Sequence, residues 1–295
     1  MGGNPLRKKI LVTGSSGMVG GYLKKELSET NTDIWYANRA NSGPAGLSDF
    51  YNQIVAFRPY AVIHLGAETN VDLCEKDPSL AYRSNVLLTS WISRACEAVN
   101  AKMVYVSSSS VFGKDEKFLY DELNSPHPVS VYAASKLKGE EAICTLCFKN
   151  FVIVRAGWMI GGGKEIDKKF VGSLIRQIKA GHSEIQAVSD KWGSITHAAD
   201  LARLLVWSLS DEGFGLYHYA CTGVVSRHSM AETVIEAFAA TNRPSLRSLT
   251  SAHFPLAAPR PFSDAIESVR SSELPALLQP REWKSVLLNY VRELA

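Results

Sequence analysis

Lys9-Ile10-Leu11-Val12-Thr13-Gly14-Ser15-Ser16-Gly17-Met18-Val19-Gly20 runs an apolar stretch of strand length straight into glycines spaced G-x-x-G-x-x-G. Val19, Leu23 and Leu27 then recur at helical spacing, and the helix is expected to reach about Ser28. A buried strand, a glycine turn and a helix in that order begin a βαβ unit that holds a dinucleotide. The first glycines allow a tight turn and a close approach of backbone amides to a pyrophosphate. The last allows the helix to pack on the sheet, with its positive N-terminus facing the phosphates. Gly14, Ser16, Gly17, Met18 and Val19 are therefore the expected cofactor contacts.

The same alternation continues outward. Asp33–Ala37, Ala61–Leu65, Lys102–Ser107 and Phe151–Ala156 read as further short apolar strands, and Leu80–Val99 has helical periodicity. Strands alternating with helices imply a parallel sheet wrapped on both faces, because right-handed crossovers force the doubly wound α/β topology. Leu65, Gly66 and Ala67, at the end of the third strand, join the expected cofactor residues. The pattern changes after Trp158, with the break Gly161-Gly162-Gly163 and later three prolines between Pro255 and Pro261. The expected division is a cofactor domain over residues 1–156 and a smaller substrate lobe over 157–295. Later segments such as 194–210 are expected to rejoin the first domain.

Composition narrows the function classes. Of the 295 residues, 46% are hydrophobic and 21% charged, with a net charge of +3, so no polybasic face for nucleic acid or anionic membrane is expected. No apolar run approaches the ~20 residues that span a bilayer. The N-terminal residues lack the apolar core of a secretory signal, and Leu6 stands where a myristoylation signal needs Ser or Thr. Five scattered cysteines read as free thiols in a reducing compartment, hence a cytoplasmic protein. Cys144 and Cys147 form a C-x-x-C, but inside an expected helix (Lys136–Phe148) and without a second ligand pair, so no metal site is expected.

Two further patterns bear on chemistry. An acid about 20 residues beyond the glycines would accept from the ribose 2′-hydroxyl of NAD. Here the position holds Asn38-Arg39, and Arg39 suits a 2′-phosphate, so NADP(H) is favoured over NAD(H). Tyr132 and Lys136 stand one helical turn apart, about two dozen residues after the strand-end cluster Ser107-Ser108-Ser109-Ser110. Reduction of a ketone needs a proton for the developing alkoxide, and a nearby cation makes a tyrosine a better participant. One serine hydroxyl can polarise the carbonyl.

These residues carry a resemblance. Gly14-x-x-Gly17-x-x-Gly20, Ser107–Gly113 and Tyr132-Ala-Ala-Ser-Lys136 resemble an extended short-chain dehydrogenase/reductase. With Val62–Ala67, Thr69–Asp72, Asn85, Arg155–Trp158, Ser194–Asp200 and Pro259-Arg260-Pro261, the chain is most similar to the dTDP-4-dehydrorhamnose reductase family. The resemblance implies that Ser108 bonds the substrate carbonyl, Tyr132 donates the proton, and Lys136 holds the nicotinamide ribose and lowers the tyrosine pKa. It implies a proton-relay role for Asn85, and a sugar pocket lined by Val71, Ser109 and Trp158. Arg260, set between two prolines, is the expected clamp on a nucleotide diphosphate, with Lys168 and Lys169 as weaker candidates. A homodimer through the helices bearing Asn85 and Tyr132 is implied as well.

Three departures stand out. The family commonly has Thr-Asp where this chain has Ser108-Ser109, so a carboxylate is expected to be absent from the sugar pocket. Gly46 replaces an adenine-side acid, and Glu68 an aromatic residue. The expected activity is an NADP-dependent reductase of a nucleotide-activated 4-keto-6-deoxy sugar. Two alternatives stay open: an NAD-dependent nucleotide-sugar epimerase, and a non-catalytic NADP-binding regulatory subunit resembling the methionine adenosyltransferase β subunit.

Overall fold

The computed structural model describes residues 7–37, 46–147, 149–238 and 243–294. β1 (Lys8–Thr13), β2 (Thr32–Ala37), β3 (Ala61–His64), β4 (Lys102–Ser108) and β5 (Phe151–Ala156) form one parallel sheet with a sixth strand, Gly215–Tyr219. Its order is Gly215–Tyr219, β5, β4, β3, β1, β2. The helices that follow the strands are α1 (Met18–Ser28), α2 (Leu47–Phe57), α3 (Val71–Lys76), α4 (Pro78–Ala81), α5 (Leu88–Val99) and α6 (Val131–Leu146).

The strands are apolar on both sides because both sides are covered. Ile10, Val12, Ile63 and Val104 meet Leu23 and Leu27 of α1, together with Leu201 and Leu205 of the helix Ala198–Trp207. Leu11, Val62, Met103 and Tyr105 point the other way, onto Phe50 of α2, Ile92 of α5 and Ile143 of α6. Neighbouring residues of one strand thus serve opposite cores, as the period of two demands. The doubly wound α/β sheet is the expected one. The chain returns to it twice from the later sequence, through the helix Ala198–Trp207 on one face and the strand Gly215–Tyr219 at the edge.

A second core gathers Ile160, Leu174, Ile185, Met230, Val234 and Leu287 among the helices Phe170–Lys179, Arg227–Phe238 and Trp283–Leu294. Among the described residues, no helix is long and apolar enough to cross a membrane.

The stretch expected as one helix, Leu80–Val99, has a finer structure. Between α4 and α5 lies a π-helical turn, Tyr82–Leu87, which carries Asn85 into the interior. A π turn places an extra residue in the spiral and re-aims the side chains within it, and such turns recur at functional sites. Cys147 ends α6 and is buried, while Cys144 is exposed, and both are free thiols. Burial, with Glu97 nearby, pushes the Cys147 thiol up to about 11, which keeps it an unreactive packing group.

Candidate active site

The strand order reverses at β1, and there the carboxyl ends of the strands open onto a cavity of about 900 Å³. Doubly wound sheets bind ligands at such a switch point because the loops diverge to either side. Gly14, Ser16, Gly17, Met18 and Val19 line the cavity from β1 and α1, beside Leu65, Gly66 and Ala67. Gly14 has φ +71°, and a Cβ on it would stand 2.6 Å from Gly66 N. A Cβ on Gly20 would stand 2.4 Å from Ser15 O. On Gly17 it would meet nothing closer than Gly14 O at 3.4 Å. The turn itself therefore requires the first and third glycines, and the second leaves open space on the cavity side. α1 begins after Gly17 with no side-chain cap and no acid in its first turn. Its leading amides remain available to an anion, so the residues present fit a dinucleotide pyrophosphate.

Tyr132 stands in the first turn of α6, whose start is capped by Ser130 Oγ accepting from Ala133 N at 3.3 Å. The phenol is buried within hydrogen-bond reach of Ser108. Burial pushes it up to about 12, although the Ser108 hydrogen bond works in the other direction. Lys136, one turn on, donates from Nζ to Val106 O at 2.9 Å and lies 4.0 Å from the Tyr105 ring centroid. Burial pulls this lysine down to about 7, and Glu140 pulls it back up. The expectation that Lys136 lowers the tyrosine pKa is thus corrected for the protein alone. Desolvation dominates both groups, and the ammonium is held by Val106 and Tyr105.

Asn85 does not line the cavity; it is buried behind the wall. Its Nδ2 donates to Ser135 Oγ at 2.9 Å and to Glu68 O at 3.1 Å, and its Oδ1 accepts from Glu68 N at 2.8 Å. It therefore ties the π turn to α6 and to the loop after β3. Gly139 makes this approach possible: a Cβ there would stand 2.7 Å from Tyr105 Oη and 2.9 Å from Asn85 O. Deeper still, Arg155 Nη2 donates to Glu140 Oε2 at 2.7 Å, and Ser107 donates to the same carboxylate.

The far end of the cavity is lined by Val71, Ser109, Ser110 and Trp158. Asp264 corrects the expectation that a carboxylate is absent here, because one stands directly behind the wall formed by Ser109, Ser110 and Trp158. Its Oδ1 accepts from Trp158 Nε1 at 2.9 Å, and its Oδ2 accepts from Ser109 Oγ and Ser110 Oγ, each at 3.3 Å. The acid arrives from the second lobe rather than from the strand-end motif.

The other expected site residues fall out as follows. Asn38 and Arg39 lie outside the described residues. Arg260 is not on the cavity wall: it donates to Asp72 Oδ2 at 2.9 Å and to Ala258 O at 2.8 Å, tying α3 to the second lobe. Its guanidinium is committed within the protein, so the clamp expected of it is not formed here. Lys169 lines the cavity and Lys168 does not. Sequence reasoning missed Arg227, whose guanidinium carbon lies 3.8 Å from the Trp158 ring centroid and 4.9 Å from that of Phe170. It also missed Tyr36, which lines the cavity at the end of β2. Neither residue belongs to a spaced motif, so no local signal marked them.

Known proteins resemble this chain over nearly its whole length. Residues 8–295 match the family model described as the RmlD substrate binding domain. The dTDP-4-dehydrorhamnose reductase of Mycobacterium tuberculosis H37Rv is 32% identical over 289 residues, covering 95% of this chain and 91% of the relative. The crystal structure of a dTDP-4-dehydrorhamnose reductase from Yersinia enterocolitica superposes with a TM-score of 0.94 at 39% identity, covering 98% of this chain and 100% of the other. A reductase of the same name from Bacillus anthracis, in complex with NADP, gives a TM-score of 0.87 at 29% identity, with coverage of 98% and 100%. The Thermus thermophilus UDP-glucose 4-epimerase, at 18% identity and a TM-score of 0.74, shares the fold alone. Since the family model spans nearly the whole chain, from β1 to the last helix, the protein belongs to the RmlD substrate-binding-domain family, within the extended short-chain dehydrogenase/reductases.

Proposed function

We propose that this protein is an NADPH-dependent reductase of a nucleotide-activated 4-keto-6-deoxy sugar. The observation that carries the reading is the meeting of Ser108, Tyr132 and Lys136 on the wall of the same cavity as the uncapped start of α1. The relatives named dTDP-4-dehydrorhamnose reductase cover nearly all of the chain, which supports a nucleotide-sugar ketone as substrate. NADP is favoured by Arg39 in the place of an acid, and by the Bacillus anthracis neighbour that holds it.

When bound, the cofactor supplies the hydride for C4 of the sugar. Ser108 bonds the carbonyl oxygen and holds it against Tyr132. Tyr132, neutral below about 12, retains its proton at physiological pH and donates it as negative charge grows on that oxygen. Lys136 holds the ribose and, when charged, favours the phenolate left behind. Asn85 keeps α6 at its distance through Ser135, which positions both groups. Tyr132→Phe removes the proton and leaves the ring, so it should lower kcat by roughly 10²–10⁴ while NADPH binding stays near wild type. The assay is loss of nicotinamide absorbance with dTDP-4-keto-6-deoxy sugar, run with NADPH and NADH in parallel. Undiminished turnover in the variant would refute the role of Tyr132. Faster turnover with NADH would refute the cofactor preference. We also propose a homodimer, which a monomeric mass by light scattering would refute.

A further inference from the structure

None of the steps above uses Asp264, yet it is only 5% exposed and stands behind Ser109, Ser110 and Trp158, which line the sugar end of the cavity. A buried carboxylate costs several kcal/mol unless donors surround it. Here the donors are the indole N–H of Trp158 and the hydroxyls of Ser109 and Ser110, with the Arg227 guanidinium over the face of the same indole. Burial still raises its pKa against all of these contacts. The backbone that carries it is anchored to both lobes. Asp264 N donates to Trp192 O at 3.1 Å, Ser263 Oγ donates to Phe118 O at 2.6 Å, and Ile266 N donates to Ser194 Oγ at 3.1 Å. Gly193 leaves the space for the indole: a Cβ there would stand 2.3 Å from Trp158 Cε2.

We propose that Asp264 is a positioning residue that sets the specificity of the sugar pocket, by taking the hydroxyl protons of Ser109 and Ser110 and the indole proton of Trp158. The inference rests on the nucleotide-sugar reading given above. A serine hydroxyl has one proton and two lone pairs. With the proton given to Asp264, only lone pairs are left to face the cavity, so both serines present acceptors. The pocket then recognises a pyranose whose hydroxyls, next to the reacting carbon, donate hydrogen bonds. It discriminates against a ring in which that hydroxyl is removed or alkylated, because the serine lone pairs would be left unpaired. The bond to the indole fixes the plane of Trp158, which forms the facing wall.

The test compares the full chain with its Asp264→Asn variant, using NADPH and two nucleotide-activated 4-keto-6-deoxy sugars. One carries the hydroxyl adjacent to the ketone and the other lacks it. The amide has one acceptor oxygen where the carboxylate uses Oδ2 for both serines and Oδ1 for the indole, so either the serines or Trp158 lose their acceptor and the sugar wall changes. We expect KM for the hydroxylated sugar to rise by about tenfold with kcat nearly unchanged, and the preference for it over the deoxy sugar to fall about tenfold. A carboxylate grown from residue 109 would occupy the same space, since the Ser109 and Asp264 oxygens stand 3.3 Å apart. The pair Ser109→Asp with Asp264→Ser should therefore regain the preference that Asp264→Ser loses, a rescue that a purely structural role would not produce. Ser109→Ala with Ser110→Ala keeps the acid and must lose the same preference, which serves if the acid variants do not fold; NADPH titration reports folding. Unchanged KM and preference in Asp264→Asn would overturn the assignment while wild-type turnover keeps the reductase reading. A wild type that reduces neither sugar overturns both.

Discussion

Replacing Glu140 by Gln will leave Arg155 as a buried guanidinium without its counter-ion. Arg155 is 4% exposed and Glu140 5%, and they are joined by contacts of 2.7 Å from Nη2 and 3.0 Å from Nε. The other neighbours of Arg155 are the Phe112 ring, 5.0 Å away, and His218 Nε2 at 3.4 Å. Burial lowers the His218 pKa and favours the neutral ring, which cannot replace a carboxylate. Breaking a buried pair costs about 3–5 kcal/mol, and glutamine keeps one acceptor, so the loss should sit near 3 kcal/mol. For a protein of this size that lowers Tm by roughly 5 °C. Glu140→Gln combined with Arg155→Met removes both charges and should recover at least half of the loss. Thermal unfolding followed by circular dichroism, on the wild type, both single variants and the pair, measures this coupling. A single variant melting within about 2 °C of wild type, or a pair whose loss equals the sum of the singles, would refute the reasoning.

Three further outcomes follow from the same burial. Lys136 is pulled from 10.5 down to about 7, so between those values the unfolded chain holds the extra proton and stability rises with pH. Lys136→Met should thus stabilise the ligand-free protein by a few kcal/mol at pH 6.5 and far less at pH 10.5, while abolishing reduction; equal shifts in Tm at both pH values would sink this. His64, bonded to Thr13 Oγ1 at 2.6 Å and Thr89 Oγ1 at 3.1 Å, is lowered from 6.5 to about 3 by burial and then by Lys136. The unfolded chain takes up that proton first, so stability falls as pH drops below 6.5, by about 1.4 kcal/mol per unit for this group. His64→Gln should flatten the urea midpoint between pH 7 and 4.5, and parallel curves would count against it. Gly20→Ala drives a Cβ into Ser15 O and should weaken NADPH binding at least tenfold by fluorescence titration; near-normal affinity would show that the turn relaxes freely.

The legible parts of the fold and site are those in which a local pattern and its tertiary use coincide. The run Lys9–Gly20 reads as strand, turn and helix because burial on both faces makes β1 apolar throughout, and because Gly14 and Gly20 answer contacts within the turn itself. The spacing of Tyr132 and Lys136 likewise placed both on the wall of one cavity. Other features have no local signature. Leu80–Val99 keeps helical periodicity although the π turn Tyr82–Leu87 interrupts the spiral within it, so the sequence alone gives no reason to turn Asn85 inward. Pro259-Arg260-Pro261 does promise a rigidly presented cation. Its direction is decided by Asp72, nearly 190 residues earlier in the chain.

Asp264 shows most clearly why motif reading stops short. The strand-end motif Ser107–Ser110 holds four hydroxyls and no acid, which taken alone describes a neutral pocket. The acid comes from a segment 154 residues later that has neither helical nor strand periodicity, and it meets Ser110 only because Trp192, Phe118 and Ser194 hold that segment between the two lobes. A carboxylate reaching a pocket from one wall can be exchanged for one reaching it from the other, provided the buried charge and its donors keep their places. Regained preference in the pair Ser109→Asp with Asp264→Ser would show that the site requires one buried carboxylate facing three donors and leaves free the chain position that supplies it. A reader of sequence sees the chain position; the donors see only the charge.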